Sequence, residues 1–431
     1  MSSLDPKLPL IQNAGLEGKV VLARVDHNVV EKGVIKDAFR IDSTFGLIHY
    51  IASKGGFPIL MTHVGRTRDK KTGHIKTGPG TSVAPVVLYL ERKLSGGFVV
   101  PELPVDPELG IVSLDPKSLA PLVGKLKARE IGGIYLPNTR WFAGEESKDE
   151  KTSALAESLA GIADLYVNDA FGSWQPHAST FDVAAKLPPY AGFLMQKELS
   201  HLELVLHPEP PFLAVVAGAK YDTKIGPLLK IYEKTDHLLL GGVIYNAFLS
   251  AKYGVKIKGV DEEDVKLARD LVEKDKTAGK ILEPGALVES PSIETRDPAR
   301  GRVVKTKDFK EGMEFGYFLD VAPESFDCPK ISAAIGGAKT VFVNAVMGLA
   351  SLYPEGSARF YSEVGKNKGA RKLFGGGDTL QELKELTPGL YMEAMDDESY
   401  YFFTGGGAVL TAIESGAYGI KPVKALLDNA K

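Results

Sequence analysis

Two α/β domains, each a doubly wound parallel sheet, joined by a helix, are the fold class this sequence predicts. Three observations lead there. The chain has 431 residues, and at about 200 residues per domain it exceeds one hydrophobic core and divides into two. Short apolar runs recur along its whole length, continuous rather than alternating, as strands buried on both faces are. Between them lie amphipathic stretches such as 151–163 and 261–274, which read as crossover helices.

In the first half the strand-like runs are 19–25, 58–62, 98–100, 133–136 and 165–167. In the second half they are 212–216, 237–240, 316–319, 340–343, 372–374 and 400–403. The seam falls near Pro208-Glu209-Pro210-Pro211, a cluster no helix runs through. Ahead of it, leucines at helical spacing over 193–207 mark the joining element. The expected organisation is a first domain over 1–192, a connecting helix over 193–208 and a second domain over 209–411. The tail 412–431 is assigned back to the first domain. The mixed segment 278–308 reads as irregular strand and loop.

Composition narrows the function. With 44% hydrophobic and 25% charged residues, the chain is neither disordered nor fibrous. A net charge of -3 gives no global pull toward nucleic acid or an anionic membrane, so any anion site is a local cluster. The single cysteine, Cys328, permits neither an intrachain disulfide nor a Cys-based metal site, which fits a reducing compartment. No apolar run approaches the roughly 18 residues of a membrane span. The first ten residues lack a signal-peptide pattern, and the last three are not a peroxisomal tripeptide. The expectation is a cytoplasmic protein acting on small molecules, without nucleic-acid or membrane partners.

Ligands of open parallel sheets bind beyond the carboxyl ends of the strands, so the residues just past each run carry the chemistry. In the first half they are polar and cationic: Arg24-Val25-Asp26-His27-Asn28, His63-Val64-Gly65-Arg66, Asn138-Thr139-Arg140 and Asn168-Asp169, with Arg40 shortly after the first strand. Arginine suits phosphate and carboxylate through paired donors. Any one of these is more often a solvated loop charge. Four strand ends in a row point instead to a small polyanion.

In the second half the strand ends are glycine-rich: Ala217-Gly218-Ala219-Lys220, Gly241-Gly242, Met347-Gly348, Gly375-Gly376-Gly377-Asp378-Thr379 and Gly405-Gly406-Gly407. Glycine lets backbone N–H groups approach phosphate oxygens, and a following helix adds its positive end. Strand-to-helix turns favour glycine anyway, so one pair decides nothing. Five in one half, two with a lysine or an aspartate, read as a nucleotide mouth. The run 375–379 also supplies a carboxylate suited to Mg²⁺. By contrast, Gly336-Gly337-Ala338-Lys339-Thr340 lacks the adjacent glycine and lysine of a P-loop and precedes a strand, so it reads as a turn. No G-x-G-x-x-G follows the first strand, which argues against a dinucleotide oxidoreductase.

Taken in order, these motifs resemble those of the phosphoglycerate kinase family. Arg24-Val25-Asp26-x-Asn28 resembles its opening motif and Thr62-His63-Val64-Gly65-Arg66 its S-H-L-G-R. Val167-Asn168-Asp169-Ala170-Phe171-Gly172 resembles V-N-D-A-F-G, and Leu194-Met195-x-Lys197-Glu198-Leu199 its linker helix. Ala217-Gly218-Ala219-Lys220-x-x-x-Lys224-Ile225 resembles G-G-A-K-x-x-x-K-I, and the last two glycine runs resemble G-G-G-D-T and T-G-G-G-A. The set runs in family order over nearly the whole chain. The resemblance implies a bilobed, hinge-bending monomeric kinase that moves phosphoryl reversibly between 1,3-bisphosphoglycerate with ADP and 3-phosphoglycerate with ATP. It implies that Asp26, Asn28, Arg40, His63, Arg66 and Arg140 hold the phosphoglycerate. It places Lys220 and Lys224 on the nucleotide phosphates, and Gly376, Gly377 and Thr379 around phosphate at a helix start. Asp378 is left to bind Mg²⁺, while Gly218, Gly242, Asn344 and Gly348 line the nucleotide cleft. Arg40, Lys220 and Lys224 become the catalytic cations, with Arg40 and Lys224 meeting on closure.

Four departures from the family pattern stand out. Ser173-Trp174-Gln175-Pro176-His177 replaces T-A-H-R-A-H, one residue shorter and without its arginine. Leu136-Pro137-Asn138 replaces Leu-Glu-Asn. Ser351 stands where the family's glutamate meets the ribose, and Val346 where it has proline beside the cleft. His27 and Val30 replace Phe and Pro. Each lost charge-assisted contact costs roughly 1.5–3 kcal/mol in binding. A same-fold kinase acting on another phosphorylated acid, and a catalytically silent nucleotide binder, therefore remain as alternatives.

Overall fold

The computed structural model describes residues 4–218, 225–296 and 301–430. The chain forms two compact units, one of residues up to 200 together with those from 418 onward, the other of 201–417. The division falls inside the helix Phe193–Leu206.

The first unit holds six parallel strands: β1 (Val20–Val25), β2 (Phe57–Met61), β3 (Phe98–Val99), β4 (Gly133–Tyr135), β5 (Leu165–Asp169) and β6 (Pro189–Ala191). Their order across the sheet is β3-β4-β2-β1-β5-β6. Every residue of β1, β4 and β5 is buried, which explains why these runs are continuously apolar. The helices between them start where the sequence supplies caps. Asp115 accepts from the Lys117 N–H at 3.0 Å ahead of Pro116–Lys127, and Asp149 from the Lys151 N–H at 2.9 Å ahead of Glu150–Ala160. The chain order turns about at β1, whose register sets Arg24 beside Met61 on one side and Asn168 on the other. The ends of β1, β2 and β5 therefore open at one level. The C-terminal residues join this unit, where the Tyr418 hydroxyl accepts from the Asp5 N–H at 2.8 Å.

The second unit also builds a six-stranded parallel sheet, in a different order, from β7 (Phe212–Gly218), β8 (His237–Gly241), β9 (Ile281–Leu282), β10 (Thr340–Asn344), β11 (Arg371–Gly375) and β12 (Tyr400–Phe403). The order β9-β8-β7-β10-β11-β12 reverses between β7 and β10, where an open sheet of this kind has its ligand crevice. Helices Gly242–Tyr253, Gly377–Leu386 and Gly406–Ser415 start directly after β8, β11 and β12.

Two expectations need correction. The run 316–319 is not in the main sheet: Tyr317–Val321 pairs antiparallel with Ala286–Ser290 in a separate three-stranded sheet completed by Arg302–Lys305. Glu289 anchors that pairing by accepting from the Gly316 N–H at 2.7 Å. Each main sheet instead takes its sixth strand from a segment too short to show periodicity, Pro189–Ala191 or Ile281–Leu282. Gly336 and Gly337 close the helix Pro329–Gly337 rather than forming a separate turn.

Candidate active site

In the first unit the strand ends converge on a set of cations fixed by side-chain hydrogen bonds. Asp26, only 1% exposed, meets Arg40 with 3.4 Å between Oδ2 and Nη1. Its buried Oδ1 has no hydrogen-bond partner among the described residues. Asn28 Oδ1 accepts from the Gly65 N–H at 2.8 Å, where Gly65 turns the chain with a φ of 65°. Asn138 clamps the same turn: its Nδ2 donates to the carbonyls of Val64 and Thr81, each at 2.8 Å. Its Oδ1 accepts from the N–H groups of Val64 and Arg140, each at 3.0 Å. Arg140 donates to the Gly65 carbonyl and pairs with Glu146 at 3.2 Å. Burial lowers the Arg140 pKa, but arginine stays charged at any working pH. Arg66 is exposed and has no ion-pair partner among the described residues.

Beneath this surface lies Arg24, which the sequence placed among the strand-end cations without giving it a role. Arg24 is 1% exposed; its Nη2 lies 2.9 Å from His63 Nδ1, and its Nε donates to Ser179 Oγ at 3.0 Å. The signal was present: a lone arginine inside the buried apolar strand β1 has to be paired. His63 is half-buried, and its pKa falls well below the usual 6.5 through burial and then the charges of Arg24, Arg140, Arg40 and His177.

The departures also find places. His27 is fully buried, with Nδ1 2.8 Å from the Tyr135 hydroxyl and Nε2 2.9 Å from Thr44 Oγ1. Thr44 donates to the Ile41 carbonyl at 2.8 Å, so it accepts from His27 Nε2–H. Burial, helped by Arg24, lowers the His27 pKa to about 3. It is thus a neutral, satisfied core histidine. In the shortened segment Ser173 Oγ accepts from Arg24 at 3.3 Å, Gln175 and Pro176 are exposed, and the buried His177 Nε2 has no partner among the described residues. Asn168 Oδ1 accepts from the Ala170 N–H at 3.1 Å. Asp169 caps the helix Phe193–Leu206, accepting from Leu194 and Met195 at 2.7 and 3.1 Å. Burial outweighs those bonds and pushes its carboxyl up to about 7.

The second unit builds its mouth from backbone. Gly218 bridges Gly242, whose φ is 60° and whose N–H donates to the Met347 carbonyl at 2.8 Å. A Cβ on Gly242 would come within 3.0 Å of the Gly218 carbonyl oxygen. Gly376 precedes the helix Gly377–Leu386 with a φ of 114°, and a Cβ on Gly406 would stand 2.8 Å from its Cα. Two helix starts are therefore in backbone contact, and only glycine permits it. Asn344 Nδ2 ties β10 to the Gly375 carbonyl at 2.8 Å. Thr379 Oγ1 donates to that carbonyl at 3.1 Å and accepts from the Ala345 N–H at 3.2 Å. Gly377 and Asp378 are exposed in the first turn of their helix. Gly348 is glycine for packing, since a Cβ there would lie 2.2 Å from the Leu319 carbonyl oxygen. Ser351 is exposed and Val346 half-buried. Lys220 and Lys224 lie outside the described residues.

Under this mouth, Glu382 is buried with Oε2 accepting from the Tyr361 hydroxyl at 2.6 Å. Burial raises its carboxyl to about 7, with the negative charges of Asp378 and Glu385 adding to the shift. Nothing in the sequence pattern marked this glutamate, because its spacing from Leu380 and Leu383 looks solvent-facing.

The described residues contain no group of three His, Cys, Asp or Glu side chains able to hold a metal alone. A single exposed carboxylate at a helix start suits Mg²⁺ that draws its other ligands from phosphate and water. No helix among the described residues is long and apolar enough to cross a membrane.

A family model described as phosphoglycerate kinase matches residues 11–416. The phosphoglycerate kinase of Thermosipho africanus is 33% identical over 415 residues, covering 94% of each chain. The cytosolic phosphoglycerate kinase of Nicotiana tabacum is 33% identical over 418 residues, again covering 94% of each. Among solved structures, phosphoglycerate kinase from Coxiella burnetii superposes with a TM-score of 0.76 at 26% identity, over 98% of this chain and 100% of that one. The enzyme from Pyrococcus horikoshii OT3, at 20% identity and a TM-score of 0.73 over 98% of this chain and 99% of that one, shows the shared fold.

Proposed function

The chain belongs to the phosphoglycerate kinase family, and from that premise we propose that it transfers phosphoryl reversibly between 1,3-bisphosphoglycerate with ADP and 3-phosphoglycerate with ATP. The observation that carries this reading is the retention of both strand-end sets, cations in one unit and glycines in the other, along a match of nearly full length.

In this reading Asp26, Asn28, Arg40, His63, Arg66 and Arg140 hold the phosphoglycerate. Arg40, Lys220 and Lys224 neutralise the moving phosphoryl group, and Gly376, Gly377 and Thr379 receive phosphate at the helix start. Gly218, Gly242, Asn344 and Gly348 line the nucleotide cleft. Asp378 holds Mg²⁺, which supplies charge neutralisation on the phosphates when bound. The acceptor is a carboxylate, already ionised near neutral pH, so no general base is needed. The protein's part is alignment, charge neutralisation and exclusion of water, which requires both mouths to meet on one substrate pair. The connecting element 193–208, which holds the helix Phe193–Leu206, is the hinge of that motion, between domains 1–192 (with 412–431) and 209–411. The enzyme works as a monomer in the cytoplasm, with no nucleic-acid or membrane partner.

The segment Ser173-Trp174-Gln175-Pro176-His177 favours one second reading, a kinase of this fold for another phosphorylated carboxylic acid. A coupled assay with purified protein, Mg-ATP and 3-phosphoglycerate separates the cases. Turnover is expected. Turnover only with a different phosphorylated acid would establish the second reading, and nucleotide binding without turnover on any acid would refute both.

A further inference from the structure

Arginine has five N–H donors and no acceptor. Its Nη2, 2.9 Å from His63 Nδ1, therefore requires that nitrogen to accept, and a neutral imidazole accepting at Nδ1 carries its proton on Nε2. We infer that Arg24 is a positioning residue that locks His63 as a neutral imidazole with its N–H on Nε2, available to the anionic substrate. The substrate half of this inference rests on the proposed phosphoglycerate reading; the tautomer half does not.

Arg24 is itself held. Its Nε donates to Ser179 Oγ at 3.0 Å, its Nη1 to the Val25 carbonyl and its Nη2 to Ser173 Oγ at 3.3 Å. Ser179 is anchored in turn by Glu145, donating from Oγ to Oε1 at 2.6 Å and from its N–H to Oε2 at 3.0 Å. Glu145, Ser179 and Arg24 are all buried, so the chain from carboxylate to imidazole has no slack. A proton on Nδ1 would set one donor against another and place a second cation beside the first. The other groups facing His63 press the same way: Arg40 from the helix Phe39–Asp42, Arg140 from the turn Thr139–Trp141, and His177. The pocket thus draws its charge from arginines and gains from His63 a directed donor that does not repel them.

The test uses the full-length protein with nitrogen-labelled histidine. The imidazole signal that disappears in His63→Gln is expected to show the neutral, Nε2-protonated pattern unchanged from pH 5.5 to 8. A titration near pH 6.5, or an Nδ1-protonated pattern, would overturn the inference. Arg24→Lys keeps a donor-only cation and preserves the pattern; in Arg24→Met, burial, Arg140 and Arg40 still hold the ring neutral, but its tautomer is freed and an Nδ1-protonated population appears. The substrate phosphate itself titrates near pH ~6, so the kinetic readout is the ratio of variant to wild-type KM for 3-phosphoglycerate. That ratio stays near one for Arg24→Lys and is at least threefold for folded Arg24→Met at every pH from 5.5 to 8, because the ring stays neutral and loses only its fixed tautomer. An Nε2-protonated pattern unchanged in folded Arg24→Met, or a KM ratio near one, would contradict the inference. Should Arg24→Met fail to fold, the wild-type spectrum still decides. Absence of turnover would remove the substrate assignment and leave the spectral result standing.

Discussion

Both units are six-stranded parallel sheets, but they build their mouths from opposite materials. In the first, side chains do the holding: Asn138 makes four hydrogen bonds across three chain segments, Arg140 is fixed by the Gly65 carbonyl and the Glu146 carboxylate, and Arg24 by one carbonyl and two hydroxyls. In the second, absence of side chains does it: Gly376 and Gly406 touch through backbone, and Gly242 lies under the Gly218 carbonyl. A mouth made of side chains fails when a group is removed. A mouth made of backbone fails when a carbon is added. The difference matches the ligands proposed for them, a small acid that needs directional pairing and a phosphate chain that backbone N–H groups can follow.

The largest effect falls on the transfer itself. Lys224→Ala is expected to lower kcat at least ~100-fold, the scale of one lost electrostatic donor to the transition state; a variant within threefold of wild type would remove Lys224 from the mechanism. Next, Arg140→Ala takes a donor from the side-chain mouth. A lost charged hydrogen bond of roughly 1.5–3 kcal/mol should raise KM for 3-phosphoglycerate about 10- to 150-fold and leave KM for the nucleotide within twofold. Gly406→Ala is the mirror experiment, adding one carbon against the Gly376 Cα. Overpacking of this kind costs about 1–3 kcal/mol, so stability falls by that order in denaturant titration while nucleotide KM rises and phosphoglycerate KM does not.

The smallest effect concerns pH. Burial puts the Glu382 carboxyl at about 7 in the folded chain, above its ordinary 4.5. The folded state then binds that proton more tightly, so the contribution is present below about 4.5 and is lost as pH rises through 7. Tyr361, Asp378, Glu385 and Asp320 are the titratable neighbours, and Asp320 is likewise raised by burial. Glu382→Gln removes the slope, so relative to wild type its Tm should gain on the order of a few degrees between pH 5 and pH 8. A constant offset across that range would show that Glu382 stays ionised.

The strand ends were legible in the sequence because they are local: a buried apolar run stops and a polar or glycine cluster begins, as at Val25-Asp26 or Phe374-Gly375. Tertiary partnerships were not. Nothing near Arg24 in the chain points to Ser179 or Glu145, which come from segments more than a hundred residues away. The substitution at position 27 looked like a defect in a motif until Tyr135 and Thr44 supplied its two partners. The run 316–319 read as another core strand because apolar continuity does not tell which sheet a strand joins. The two-residue strand Ile281–Leu282 fell inside the segment read as irregular strand and loop, where nothing marked it as part of the main sheet.

The division of labour between the mouths is most directly tested by titration calorimetry of Arg140→Ala and Gly406→Ala, each against Mg-ADP and 3-phosphoglycerate. The account predicts that Arg140→Ala loses affinity for the acid alone and Gly406→Ala for the nucleotide alone. Loss of both ligands in either folded variant, or the reverse pairing, would contradict it.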